Sequence, residues 1–113
     1  MFITFLKFSD NRAAAAKYMA AHNDWIAKGF ADGVFVCVGS LLPGAGGAIL
    51  ANGENRESYE TRIAADPFVA QKIVTAETHE VDPKRTIAAL DFMRPAASSD
   101  SARRRTGARG SRP

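Results

Sequence analysis

The feature that most constrains the fold is a pair of short segments that are predicted as strands and are apolar on both faces. In residues 2–8, Phe-Ile-Thr-Phe-Leu-Lys-Phe, phenylalanine and leucine on one face oppose isoleucine and phenylalanine on the other. In residues 34–40, three valines oppose Phe35 and Cys37. Strands that are apolar on both faces must be covered on both faces. We therefore expect a sheet with helices on one side and a second copy of the chain, in a homodimer, on the other.

The order of helix and strand signals predicts the topology. Capping residues at 9–11 precede the first helix, Gly29 and Gly33 supply its stop signals, and residues 43–47 form a turn. The predicted strands span 2–8, 34–40, 48–51 and 73–81. The first two predicted helices span 12–28 and 55–65. Asp82-Pro83 is predicted to cap a short last helix that carries Ile87 and Leu90. This β-α-β-β-α-β order is the split βαβ arrangement of ferredoxin-like domains. Right-handed crossovers then place both helices on one face of a four-stranded antiparallel sheet, so the expected class is α+β.

The positive charge is concentrated at the C-terminal end of the chain. Residues 1–93 hold nine Lys and Arg against eleven Asp and Glu, whereas residues 94–113 hold six Arg against one Asp. The latter segment lacks large apolar residues from position 95 onward, so we predict a domain at 1–93 and a basic, disordered tail at 94–113. The run Arg103–Arg105 leaves nonspecific nucleic-acid association open. A solvated tail is favoured because no aromatic residue is interleaved for base stacking, and no nucleic-acid partner is predicted.

Membrane, metal and cofactor functions find no support in the sequence. No apolar run reaches the roughly 18 residues needed to span a bilayer, and the apolar start lacks the basic region and cleavage site of a signal peptide. A cytoplasmic protein without a membrane partner is therefore expected. His22 and His79 have no Cys or His at ligand spacing, so neither a metal nor a cofactor is predicted. The single cysteine, Cys37, excludes an internal disulfide and is interpreted as a small buried hydrophobe.

His22 is the first candidate for chemistry. Helical spacing places it on one face of the first helix with Tyr18, Trp25, Ile26 and Gly29. That face of the helix must pack against the sheet, so His22 is expected to be partly buried among aromatic residues. A histidine in this position can exchange a proton near neutral pH if a partner holds its tautomer. The alternative is a core histidine that is hydrogen-bonded to a backbone carbonyl.

Four short sequence motifs resemble those of the YciI-like (YCII-related) family. They are Ala21-His22-Asn23-Asp24-Trp25-Ile26, Val38-Gly39-Ser40-Leu41, Gly46-Gly47-Ala48-Ile49-Leu50 and Asp66-Pro67-Phe68-Val69. The resemblance covers about residues 1–90 and implies a dimeric α+β barrel with a small pocket between helix and sheet. It also implies a catalytic His–Asp pair, which falls on His22 and Asp66. The chain departs from the family at Ser40, where proline is usual.

The resemblance implies a reaction class as well. One branch of the family is associated with dehydrochlorination of a chlorinated hydroxyquinol, an acid/base-assisted loss of chloride. For Asp66 a structural interpretation has equal weight, because Asp66-Pro67 is a good N-cap and N1 pair for a helical turn. The leading hypothesis is a lyase or hydrolase that acts on an unknown small molecule, with His22 and Asp66 as catalytic residues and Tyr18, Trp25 and Ser40 as substrate-binding residues. The alternative is a non-catalytic dimeric module that binds a small ligand or supports a partner protein.

Overall fold

The computed structural model describes residues 1–95. The chain divides into two units, Met1–Val81 and Asp82–Pro113, and the second is described as far as residue 95. Most of the predicted disordered tail, residues 96–113, lies outside the described residues. No helix within residues 1–95 is both long and apolar enough to cross a membrane.

The first unit contains the whole sheet and three α-helices. A short 3-10 helix, Arg12–Ala14, precedes the first α-helix. The elements are β1 (Phe2–Phe8), α1 (Ala15–Ala31), β2 (Phe35–Leu41), β3 (Gly46–Ala51), α2 (Arg56–Ala64), α3 (Pro67–Ala70) and β4 (Val74–Glu80). The strands lie in the spatial order β2-β3-β1-β4, and all neighbours are antiparallel. The predicted ferredoxin-like α+β fold is therefore confirmed.

The helices pack on one face of the sheet, where the hydrophobic core lies. Phe2 on β1 is buried, and its ring stacks on Tyr59 of α2 with a centroid distance of 4.4 Å. Tyr59 and Ile63, four residues apart on α2, are both buried and form the side of this helix that packs on the sheet. The Tyr59 hydroxyl lies 2.7 Å from Thr4 Oγ1, so the buried polar atoms satisfy each other. Burial raises the pKa of Tyr59, because the phenolate loses its hydration there.

The opposite face of the sheet is apolar along β1 and β3 and polar along β4. Ile3 and Leu50 are direct partners in the β1–β3 register, and Phe5 lies two residues further along β1. All three side chains are half-buried. On β4, Glu77 and His79 occupy this same face, and both are exposed. The apolar part of this second face is therefore limited to the inner strands β1 and β3 and to the side of the sheet next to β2.

A β-bulge changes which residues of β2 reach this second face. Phe35 pairs with Ala51 and Cys37 with Leu50, so one extra residue stands between Phe35 and Cys37. An extra residue reverses the alternation of side chains. Phe35 and Val38 therefore face the helices, whereas Cys37 lies on the second face and is exposed. The interpretation of Cys37 as a buried hydrophobe on the face of Phe35 is wrong for this reason.

The ends of α1 also differ from the prediction. Its N-terminus follows the 3-10 helix and receives no side-chain cap, although residues 9–11 were suitable for one. Gly29 lies within the helix, which continues to Ala31. A Cβ at Gly29 would lie 2.2 Å from the Phe35 ring, so this glycine permits close packing of helix on sheet and does not end the helix.

The second unit contains a 3-10 helix, Ala88–Met93. Its N-cap residue, Ile87, makes no side-chain capping hydrogen bond. Asp82 instead pairs with Lys84 at 2.6 Å. The prediction that Asp82-Pro83 caps the last helix is therefore wrong, because that helix begins six residues further along and has a tighter turn.

Candidate active site

A cavity of about 340 Å³ lies between α1 and the helix-facing side of the sheet. Its wall includes His22, Trp25 and Ile26 from α1 and Phe68 from α3, and its floor includes the sheet residues Val38, Ser40, Gly47 and Ile49. Among the described residues, no Asp, Glu, Lys or Arg lines it. The cavity is therefore an apolar chamber with a few neutral polar groups, as is usual for small-molecule sites.

His22 and Asp66 meet at the edge of this cavity. The distance from His22 Nδ1 to Asp66 Oδ1 is 2.7 Å, and the side-chain exposures are 14% and 0%. The same Oδ1 accepts the Phe68 N–H at 3.0 Å. A carboxylate in this position accepts the Nδ1–H of the imidazole, which leaves Nε2 with its lone pair. Nε2 has no hydrogen-bond partner within residues 1–95, and His22 lines the cavity.

Asp66 is fixed by its place at the start of α3. It is the N-cap residue of that helix, and Pro67 follows at the first helical position. The capping interpretation and the contact with His22 are therefore compatible, since one carboxylate oxygen serves both. The other oxygen, Oδ2, is buried and has no hydrogen-bond partner among the described residues.

Two aromatic rings hold the imidazole in place. The His22 ring is nearly parallel to the Phe68 ring, with a centroid distance of 4.0 Å and an interplanar angle of 3°. The Trp25 ring lies 5.9 Å from it on the same helix. Trp25 in turn donates its Nε1–H to the Arg62 carbonyl at 3.0 Å. The orientation of His22 therefore depends on α1, α3 and the end of α2 together.

The end of α2 that receives the Trp25 hydrogen bond is held by ion pairs. Arg62 contacts Glu54 at 2.8 Å and Asp32 at 2.9 Å. The hydrogen bond from Arg62 lowers the pKa of Asp32. These contacts connect the ends of α1 and α2 behind the cavity, so Trp25 has a rigid acceptor.

The structure gathers four of the five predicted site residues. Trp25 and Ser40 line the same cavity as His22, and Asp66 lies directly behind the imidazole. Tyr18 does not line it and packs beside the core instead. Met19, three residues before His22, lines the cavity, so the side of α1 that faces the cavity runs through positions 19, 22, 23 and 26 and leaves position 18 beside it.

Several lining residues were not predicted as part of the site, and Phe68 and Gly47 are the most informative of them. Phe68 stacks on His22, and its backbone N–H binds Asp66; the sequence signal was its position two residues after the Asp66 N-cap. Gly47 was assigned to a turn, but it lies within β3 and lines the cavity. His79, the other histidine, is exposed and contacts Glu77 at 2.7 Å. Within residues 1–95 there is no group of three or more His, Cys, Asp or Glu that would hold a metal ion.

Comparison with known proteins supports the fold. No protein-family model matches the sequence, and no curated protein matches it significantly. The chain is similar in structure to a 5-chloro-2-hydroxyhydroquinone dehydrochlorinase from Burkholderia phenoliruptrix AC1100, solved in complex with 2,5-dihydroxybenzoquinone. The TM-score is 0.62 at 14% sequence identity, and the match covers 71% of this chain and 91% of that chain. At this identity, the likeness shows that the two chains share an α+β fold with a four-stranded antiparallel sheet.

Proposed function

We propose that this chain is an enzyme of the YciI-like type that acts on a small molecule by acid/base chemistry, with His22 as the proton-transfer group. The observation that carries the proposal is the 2.7 Å contact between His22 Nδ1 and the buried Asp66, beside a cavity that the imidazole lines. This arrangement fixes the tautomer and leaves Nε2 for a substrate. The structural similarity to a dehydrochlorinase supports a lyase, and so does the resemblance of the phrases around His22 and Asp66.

The reaction that fits these groups is an elimination. His22 Nε2 takes a proton from the substrate, a new double bond forms, and the leaving group departs with its bonding electron pair. The Asp66 carboxylate stabilises the imidazolium that results. In a hydrolytic version of the proposal, the same nitrogen would take the proton from water.

The experiment is to measure chloride release from 5-chloro-2-hydroxyhydroquinone. His22→Asn is the test variant, because its amide nitrogen can still donate to Asp66 while Nε2 is lost. We expect kcat/KM to fall by about 10²–10⁴, the usual contribution of a general base. His79→Asn is the matched control, since this histidine is exposed and does not line the cavity. Wild-type activity in His22→Asn would contradict the proposal.

The second candidate function is a non-catalytic module that binds a small ligand in the same cavity. The observation that favours it is the apolar, ring-lined wall, which suits binding as well as turnover. Trp25 is the only tryptophan and lines the cavity, so the fluorescence of the chain reports on its contents. Quenching by 2,5-dihydroxybenzoquinone without any chloride release from the chlorinated compound would favour this function over the lyase.

A further inference from the structure

In the floor of the cavity, one row of paired residues across the sheet has almost no side-chain atoms. Gly47 on β3 pairs with Leu6 on β1 and with Ser40 on β2. It lies two residues before Ile49, which is buried on the helix-facing side. Because side chains alternate along a strand, a side chain at position 47 would point toward α1 and into the cavity. Two adjacent positions of this row, 47 and 40, therefore carry no side chain and a very short one.

Neither the backbone nor the packing requires a glycine at position 47. Gly46 next to it has a φ of +139°, and a Cβ there would lie 1.8 Å from the Leu6 carbonyl oxygen. Gly47 has no such φ, and its Cβ would meet only the Gly39 carbonyl oxygen, at 3.3 Å. A shift of a few tenths of an ångström would accommodate an alanine. Glycine inside a strand lowers stability and marks places where a ligand or another backbone approaches closely.

The remaining groups around the cavity indicate which kind of ligand it would bind. The polar groups free to bind a ligand are His22 Nε2, the Ser40 hydroxyl and the Asn23 amide, and within residues 1–95 none of the lining side chains carries a fixed charge. Such a site binds hydroxyl or carbonyl oxygens and leaves a phosphate or a carboxylate without a counter-charge. The volume of about 340 Å³ is at the small end for ligand sites and fits a single ring.

We propose that Gly47 is the specificity-determining residue of this site, and that its bare backbone is the surface on which a flat, uncharged ring lies within reach of His22. The substrate class would be monocyclic aromatic or quinonoid compounds with hydroxyl or carbonyl substituents. The inference rests on the proposed function only in taking the cavity as the substrate site, and it does not depend on turnover.

The test compares a flat and a puckered ligand with the same substituents. The probes are hydroquinone and cyclohexane-1,4-diol, titrated while the indole N–H resonance of Trp25 is followed. We expect wild-type protein to bind hydroquinone at least tenfold more tightly than the diol. In Gly47→Ala, the affinity for hydroquinone should fall at least tenfold, because the methyl group occupies the floor.

Two further variants make the result decisive. Gly39→Ala is the matched control. Gly39 lines the cavity through its backbone, but it lies between Val38 and Ser40, so its Cβ would point to the opposite face of the sheet, where it meets nothing within 4 Å, and hydroquinone binding should be unchanged. Ser40→Thr adds a methyl group at the adjacent position while keeping the hydroxyl, and it replaces Gly47→Ala if that variant does not fold; the same loss is expected. The proposal is overturned if wild-type protein does not bind hydroquinone or does not discriminate against the diol, or if the filled variants bind normally. If the protein binds hydroquinone more tightly than the diol but releases no chloride from 5-chloro-2-hydroxyhydroquinone, this inference stands and the lyase proposal is contradicted.

Discussion

At the scale of single residues, the contact between His22 and Asp66 links the proposed chemistry to stability. Asp66 is fully buried, and its carboxylate has two donors among the described residues, the Phe68 N–H and His22. Removal of His22 leaves a buried carboxylate with a single donor. We expect His22→Ala to lower the free energy of unfolding by about 2–4 kcal/mol, measured by urea denaturation.

A double-mutant cycle tests whether this loss comes from the pair. Asp66→Asn keeps an oxygen that accepts the Phe68 N–H but removes the buried charge. The double variant should lose about 1–3 kcal/mol less than the sum of the single variants. His79→Ala is the control and should stay within about 0.5 kcal/mol of wild type, because this side chain is exposed. Additive losses would show that His22 stabilises the fold by packing alone.

The residues of the site differ in how far the sequence predicted them. Helical spacing placed His22 and Trp25 on one face, and the N-cap chemistry of Asp66 was evident from the proline that follows it. The pairing of His22 with Asp66, 44 residues apart, came only from the resemblance, since spacing carries no information on such a contact. Gly47 was missed because a glycine next to a turn is indistinguishable in sequence from a glycine of the turn.

At the scale of elements, the packing of α2 on the sheet depends on a buried tyrosine. Tyr59 has no exposed surface, and its hydroxyl contacts Thr4. Burial raises the pKa of Tyr59 in the folded state, so the unfolded chain ionises first as the pH rises. The stability that this creates is complete below the usual tyrosine pKa of about 10 and is lost above it.

Tyr59→Phe should therefore have a pH-dependent effect. At neutral pH we expect a loss of about 1 kcal/mol, the contribution of one buried hydrogen bond. Above about pH 10 the difference from wild type should shrink, because only the wild type has a phenol to ionise at this position. Unfolding by urea at pH 7 and pH 11 measures both values. Tyr18→Phe, on the half-buried α1 tyrosine, serves as control, and a constant difference for Tyr59→Phe at both pH values would contradict the explanation.

The elements show where sequence patterns stop being informative. Every strand and the first two helices were predicted within a few residues, because strand formers and glycines bound them clearly. The bulge in β2 was not predictable, since a segment apolar on both faces tolerates either alternation. The start of α1 was misjudged because the capping side chains at 9–11 bind other groups; Asn11 Nδ2, for example, donates to the Gln71 carbonyl.

At the scale of the molecule, the order of the elements was sufficient to predict the sheet topology. Handedness and short connections leave few ways to arrange β-α-β-β-α-β, and the observed strand order is the expected one. No comparable rule predicts how subunits associate, so the homodimer stays a prediction. It depends on the apolar patch on the second face of the sheet, formed by Ile3, Phe5 and Leu50.

Phe5→Lys tests the predicted homodimer most directly. If a second copy covers about 600 Å² of apolar surface per subunit, the gross gain is about 15 kcal/mol, of which association consumes a part. A lysine in the centre of the patch would lose its hydration on association, and its cross-strand partner Glu77 is already paired with Lys7 and His79. The variant should therefore sediment as a monomer at concentrations where the wild type is a dimer. Thr61→Lys, exposed on α2, adds the same charge elsewhere and should leave the mass unchanged. A monomeric wild-type chain at micromolar concentration would mean that the apolar second face is not an interface between copies of this chain.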